Sequence, residues 1–215
     1  MFNLKTLTAA AVVAVSGPAM ADVVNLSGFT YNPASVVLVG APNYQGEAGQ
    51  FSGTWDSNSF VAFCAEVTQS ISFNLNMNYT LISGAARFGA QKSSDLSRLY
   101  TAAPTFVTDS STSAAFQAAV WEVIYEAGTS YDLTGGVFMG AARYVGDLPT
   151  VAAFASINSV LLNLGSYAPN YNVSALVNRE KQDLIVVEVP EPGTYALFAA
   201  GLAGIGFLAR RRRSV

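Results

Sequence analysis

Residues 112–128 read TSAAFQAAVWEVIYEAG and contain the strongest helical pattern in the chain. A Thr-Ser pair is suited to cap the start of this helix, and Gly128 is suited to end it. At 100° per residue, the apolar side chains gather on one face, whereas Glu122 and Glu126 fall on the opposite face. The pattern therefore predicts a helix over 112–127 with both glutamates in solvent.

One residue departs from the apolar face of this helix. Gln117 falls between Ile124 and Trp121 on the helical wheel, inside the apolar stripe. Burying a side-chain amide without partners costs about 1–3 kcal/mol. The pattern therefore predicts a buried Gln117 with specific partners, for which the backbone of a neighbouring strand is the plain structural choice.

The stretch FVAFCAEV at residues 60–67 alternates with a period of two, which predicts a β-strand. It contains Cys64, the single cysteine of the chain, so no disulfide can form within it. Free cysteines are often buried and pack as small apolar side chains, and an inert thiol is one interpretation. In an exported protein a lone cysteine is also a candidate reactive group.

The remaining patterns predict an α+β fold: a single β-rich domain with two or three helices, followed by one C-terminal transmembrane helix. A loop rich in Gly, Asn and Pro is expected over 42–59. The other expected strands are 23–31, 36–39, 70–75, 79–82 and 183–189, and the other expected helices are 95–103 and 150–164.

Two short motifs resemble a known domain. Phe63-Cys64-Ala65-Glu66 is followed 53 residues later by Phe116-Gln117-Ala118-Ala119-Val120-Trp121-Glu122, and this pair is similar to the signature of Cys-Gln thioester domains in bacterial surface adhesins. The resemblance covers about residues 60–136. It implies that the cysteine sulfur attacks the glutamine carbonyl and expels ammonia. The implied site comprises Cys64 and Gln117, with Glu66, Trp121 and Glu122 as supporting candidates.

Composition excludes several kinds of chemistry. There is no histidine, which rules out Ser-His-Asp and Cys-His nucleophilic catalysis and histidine metal sites. No metal constellation and no converging acid pair of a glycoside hydrolase is evident. We therefore expect a protein that is not an enzyme, with no catalytic residues, no metal site and no cofactor.

The first 21 residues predict a secretory signal peptide. Lys5 precedes a short apolar run, and small residues at Ala19 and Ala21 suit signal peptidase, with cleavage expected before Asp22. The exported domain then spans about 22–188. Between Asp22 and Val189, thirteen acidic residues face six basic ones, a net charge of −7. Such an acidic domain has no electrostatic footprint for nucleic acid.

The C-terminal segment, 189–215, has a second apolar run. Residues 193–209 carry no charge and would form about 25 Å of helix, a short transmembrane span. The run is preceded by Pro190, Glu191 and Pro192, and is followed by a basic tail that favours the cytoplasmic side. The tail consists of Arg210, Arg211, Arg212 and Arg213.

Triplet, apolar run and terminal arginines together resemble the PEP-CTERM sorting signal of Gram-negative bacteria. The same tail is also labelled an ice-binding protein C-terminal domain, a name that says nothing about the exported domain. The resemblance implies processing by exosortase, transient anchoring in the inner membrane, and a final place at the cell surface or in the extracellular matrix. The associated biology is exopolysaccharide and biofilm production.

Two function classes remain open from the sequence. The first is a covalent adhesin, in which an amine or hydroxyl on another surface attacks the Cys64–Gln117 thioester. The second is a non-covalent matrix protein, structural or in contact with carbohydrate, that has no thioester.

Overall fold

A computed structural model describes residues 22–38, 43–136 and 148–188. Within those ranges, no helix is both long and apolar enough to cross a membrane. The predicted signal peptide and the predicted transmembrane segment lie outside the described residues.

The strands are β1 Asp22–Phe29, β2 Ala34–Leu38, β3 Tyr44–Ala48, β4 Phe51–Trp55, β5 Asn58–Cys64, β6 Met77–Ser83, β7 Asn172–Val177 and β8 Leu184–Glu188. The helices are α1 Gly84–Phe88, α2 Ala90–Ala102, α3 Ser110–Tyr125 and α4 Leu148–Leu162, with a 3-10 turn at Leu164–Ser166.

Six strands close into an antiparallel barrel in the order β1-β4-β5-β8-β7-β6, and β2 and β3 form a separate hairpin. In β1, buried Val24 and Leu26 alternate with more exposed neighbours, as expected for a strand with one face in the core. Strands β1 and β4 approach so closely that a Cβ at Gly53 would overlap the carbonyl oxygen of Asn25. Glycine is therefore required at this point of the barrel wall.

Helix α3 lies in the centre of the core. Its start is fixed by a capping box: Asp109 accepts a hydrogen bond from the Thr112 amide at 2.9 Å, and Thr112 Oγ1 accepts one from the Asp109 amide at 3.0 Å. The Ser113 hydroxyl then accepts a hydrogen bond from the Gln50 amide at 2.7 Å, which ties the helix to the β3–β4 turn. Helix α3 contacts α2, α4, β2, β3 and β5. It is thus covered on several sides.

The mixed, β-rich fold agrees with the sequence prediction, although four α-helices are present among the described residues rather than two or three. The predicted loop over 42–59 was wrong, because it contains β3, β4 and the start of β5. Residues 70–75 form no strand, and β7 and α1 were not predicted. The glycines in YQGEA and FSGTW are typical of turns, but partner strands provide the hydrogen bonds that make these segments extended.

The two glutamates of α3 are the clearest correction. Glu122 is fully buried and Glu126 is 7% exposed, so the expectation that both face solvent was wrong. Helix α4 packs against α3, and the Asp132 amide donates a hydrogen bond to Glu122 Oε1 at 2.9 Å. A helical wheel identifies the polar face of a helix, but it does not show which other segments cover that face.

Candidate functional site

Strand β5 and helix α3 bring Cys64 and Gln117 into direct contact. The Cys64 amide donates to Gln117 Oε1 at 2.8 Å, and Gln117 Nε2 donates to the Cys64 carbonyl at 2.9 Å. Gln117 is fully buried, and this pair of bonds satisfies its amide in the way predicted for a glutamine inside an apolar stripe. The barrel wall therefore ends against the central helix at the one cysteine of the chain.

The Cys64 thiol points toward a second amide. Its Sγ donates to Gln182 Oε1 at 2.8 Å. Two further hydrogen bonds hold Gln182 in place. Its main-chain amide donates to the Ser70 carbonyl at 3.1 Å, and its side-chain Nε2 donates to the Glu66 carbonyl. Sequence reasoning missed Gln182, because a single glutamine before the closing strand carries no pattern of its own. The structure thus places two glutamine side chains at one cysteine.

Burial makes this thiol a poor nucleophile in its resting state. Only 5% of Cys64 is exposed, and burial raises the pKa of the thiol well above its ordinary value. The thiolate is the form that attacks carbonyl carbon. Any reaction at Cys64 therefore depends on alignment with a neighbouring carbonyl rather than on a free thiolate population.

Glu66 lies two residues after Cys64 but is engaged in an ion-pair network. Its Oε1 is 2.5 Å from Arg87 Nη2, and Arg87 Nε is 2.7 Å from Asp183 Oδ2. Burial and the nearby Asp183 raise the pKa of Glu66, and Arg87 partly offsets them. Glu66 Oε2 has no hydrogen-bond partner, which leaves one carboxylate oxygen able to take a proton.

Trp121 lies one helical turn after Gln117 and is also buried. Its ring centroid is 4.9 Å from that of Tyr44 on the β2–β3 hairpin. The indole Nε1 has no hydrogen-bond partner. Trp121 therefore joins the hairpin to α3 beside the Cys64–Gln117 contact through ring packing alone.

Glu122 belongs to a different cluster. The Asp132 amide donates to Glu122 Oε1, whereas Glu122 Oε2 has no partner, and burial raises the pKa of this carboxyl to about 7. Nearby, Lys92 Nζ donates to the Glu126 carbonyl at 2.7 Å, and Tyr131 donates to Asp95 Oδ2 at 2.7 Å. The polar contacts of Glu122 are thus with the Asp132 segment and not with Cys64.

No group of acidic or cysteine side chains in the described parts of the chain could hold a metal ion. The sorting residues Pro190, Glu191 and Pro192 and the four terminal arginines lie outside those parts.

The sequence of the C-terminal segment matches a known family model. Residues 188–213 match the PEP-CTERM protein-sorting motif. The PEP-CTERM motif indicates an exported protein that exosortase processes while it is anchored in a membrane. No curated protein and no solved structure matches the chain. The thioester resemblance of the exported domain gains no support from these comparisons and depends on the site geometry alone.

Proposed function

We propose that this PEP-CTERM protein is a covalent adhesin of the surface or biofilm matrix of a Gram-negative bacterium, and that its reactive group is a thioester between Cys64 and Gln117. The observation that carries the proposal is the pair of hydrogen bonds, at 2.8 and 2.9 Å, between the Gln117 amide and the main chain of Cys64. These bonds hold an acyl group against the residue that bears the only thiol.

The bond-forming step balances without a cofactor. The Cys64 sulfur adds to the Gln117 side-chain carbonyl carbon, the C–N bond breaks, and the thiol proton leaves with the nitrogen as ammonia. An amide is a poor electrophile, so the reaction relies on buried, aligned neighbours. The amide N–H of Cys64 already donates to Gln117 Oε1, where negative charge develops during attack.

The thioester would be an activated acyl group for one attachment event. An amine or hydroxyl on a target surface attacks the former Gln117 carbonyl, an amide or ester forms, and the Cys64 thiol is released with the target's proton. Exopolysaccharide supplies hydroxyls, and cell-surface amines supply the nitrogen alternative. Because Cys64 ends as a free thiol and ammonia is lost, the protein would act once and would not turn over.

The exported chain, purified with its tail in detergent, tests the proposal by intact mass. We expect a mass lower by one ammonia than the sequence requires. Incubation with methylamine should add one methylamine and expose one thiol that reacts with a maleimide. A full mass and no adduct would contradict the thioester.

Two variants test which residues form the thioester and leave the hydrogen bonds of Gln117 in place. Cys64→Ser should restore the full mass, because the serine hydroxyl is a weaker nucleophile and the Gln117 hydrogen bonds involve only main-chain atoms of residue 64. Gln182→Leu should keep the ammonia loss, because that amide contacts the thiol without being the acyl donor. Ammonia loss that disappears with Gln182→Leu but persists with Gln117→Leu would assign the thioester to Gln182.

A specific observation also favours the second function class, a non-covalent matrix protein. The thiol proton points at Gln182, and both polar atoms of the Gln117 amide are already hydrogen-bonded. Loss of ammonia would remove the donor to the Cys64 carbonyl. In this alternative, Gln117 is a structural amide that joins α3 to β5, and attachment to the matrix uses other surfaces.

A further inference from the structure

The barrel places both ends of the folded domain on the same side. Every neighbouring pair of strands is antiparallel, so the starts of β1, β5 and β7 and the ends of β4, β6 and β8 lie at one end. We call this the Asp22 end, defined by Asp22, the β4–β5 turn at 56–57 and Glu188. The chain thus enters and leaves the domain at a single end of the barrel.

The start of β1 is fixed tightly at the Asp22 end. Trp55 Nε1 donates to Asp22 Oδ1 at 3.0 Å, and the Leu81 amide donates to Asp22 Oδ2 at 3.2 Å. The Val23 amide donates to Asp56 Oδ1 at 2.9 Å, and the Asp56 amide returns a bond to the Val23 carbonyl at 2.9 Å. The residue expected to follow signal-peptide cleavage is therefore part of the folded barrel.

The segment that connects the last strand to the C-terminal apolar run is short. Strand β8 ends at Glu188, and only four residues, 189–192, separate it from the uncharged run 193–209. Four residues span at most about 14 Å when fully extended. Since the PEP-CTERM motif implies processing of a membrane-anchored chain, the Asp22 end stays close to the bilayer until the tail is cleaved.

The side chains at this end suit such a position. Val23 is 40% exposed and Leu81 39%, which makes them two of the six exposed large apolar residues among those described. Trp55 and Phe60 are half-buried and pack edge to face, with ring centroids 6.2 Å apart. Tryptophan with an apolar body and a polar N–H is characteristic of the membrane–water interface.

We propose that the Asp22 end docks on the lipid headgroup layer while the tail is uncleaved, with Trp55 and Phe60 at the interface. Its partner is a zwitterionic phospholipid surface, because Asp22 and Asp56 would oppose anionic lipid. Docking holds the end of β8, which precedes the Pro-Glu-Pro triplet in the sequence, against the membrane in which exosortase acts. The proposal is independent of the thioester.

The test uses the fact that the chain has only two tryptophans, Trp55 and the buried Trp121. The exported chain with its tail is reconstituted in phosphatidylcholine vesicles that contain lipid with a nitroxide on the headgroup. We expect the nitroxide to quench part of the tryptophan emission, and Trp55→Phe to remove that part. The remaining Trp121 emission should be unquenched. This comparison leaves the buried Trp121 unchanged, so it needs no substitution in the core that could prevent folding.

A spacer distinguishes docking from proximity imposed by the tether. A long Gly-Ser insertion after Val189 frees the barrel from the bilayer without changing the Asp22 end. Docking predicts that Trp55 remains quenched, and that Val23→Asp together with Leu81→Asp abolishes this quenching in the spacer variant. Quenching that disappears on insertion of the spacer alone, or no quenching in either chain, would overturn the proposal. Trp55 emission that responds to added exosortase but not to nitroxide lipid would assign this end to the enzyme instead.

Discussion

Replacing Gln117 by leucine should lower the free energy of unfolding of the exported chain by about 2–6 kcal/mol, because two buried main-chain groups lose their partners at about 1–3 kcal/mol each. These groups are the N–H and the C=O of Cys64, which pair with Gln117 Oε1 and Nε2 in the interior. Leucine matches the size of glutamine but offers neither a donor nor an acceptor. Urea denaturation followed by tryptophan fluorescence measures the loss.

The control for this prediction must remove the effect of a covalent bond. Both chains are therefore compared in a Cys64→Ala background, where no thioester can form and the main-chain bonds remain available. Gln91→Leu is the matched control on α2, since its amide contacts only Asp95 one turn away, at 3.0 and 3.1 Å. Gln91 itself is exposed, although Asp95 is buried, and an amide–carboxylate pair at this helical spacing contributes about 0.2–0.5 kcal/mol. Equal stability of the Gln117→Leu chain and its parent would show that Cys64 is satisfied by other groups.

Local pattern predicted the two elements that meet at the candidate site. The alternation over 60–67 and the helical period over 112–127 are properties of single segments. The strand β5 ends at Cys64 and the helix α3 at Tyr125, so each agrees with most of its predicted range. The burial of Gln117 followed from its place inside an apolar stripe, since an amide there needs partners. These inferences required no knowledge of what packs against each segment.

Strands β3 and β4 and the contact of Gln182 with Cys64 depend on segments that are not adjacent in the sequence. β3 and β4 contain glycine and read as turns, and only pairing with β2, β1 and β5 makes them strands. Gln182 reaches Cys64 because β8 pairs with β5, a relation between residues more than a hundred positions apart. Neither the pairing of these strands nor the Gln182–Cys64 contact leaves a pattern within a short stretch of sequence, so the sequence analysis could not predict them.

Glu122 shows how burial changes the chemistry of a residue that its helix places on the polar face. It is fully buried, its Oε2 has no partner, and its pKa is raised to about 7, first by burial and then by Glu126 and Asp132. The bond from the Asp132 amide and the charge of Lys92 act in the opposite direction. The folded state therefore binds a proton here that the unfolded chain releases near pH 4.5.

The sign of the pH effect follows from this difference. Because the folded-state pKa lies above the unfolded one, the contribution of Glu122 to stability is fully present below about pH 4.5 and is lost as pH rises through about 7. Glu122→Gln removes the titration, so its stability relative to the parent should rise by about 3 kcal/mol between pH 4.5 and pH 8. Any cost of the new amide group is the same at both pH values and cancels in the comparison. Thermal or urea unfolding at the two pH values measures the change, with exposed Glu180→Gln as the control carboxylate. A stability difference that does not vary with pH would mean that Glu122 titrates alike in the folded and unfolded chain.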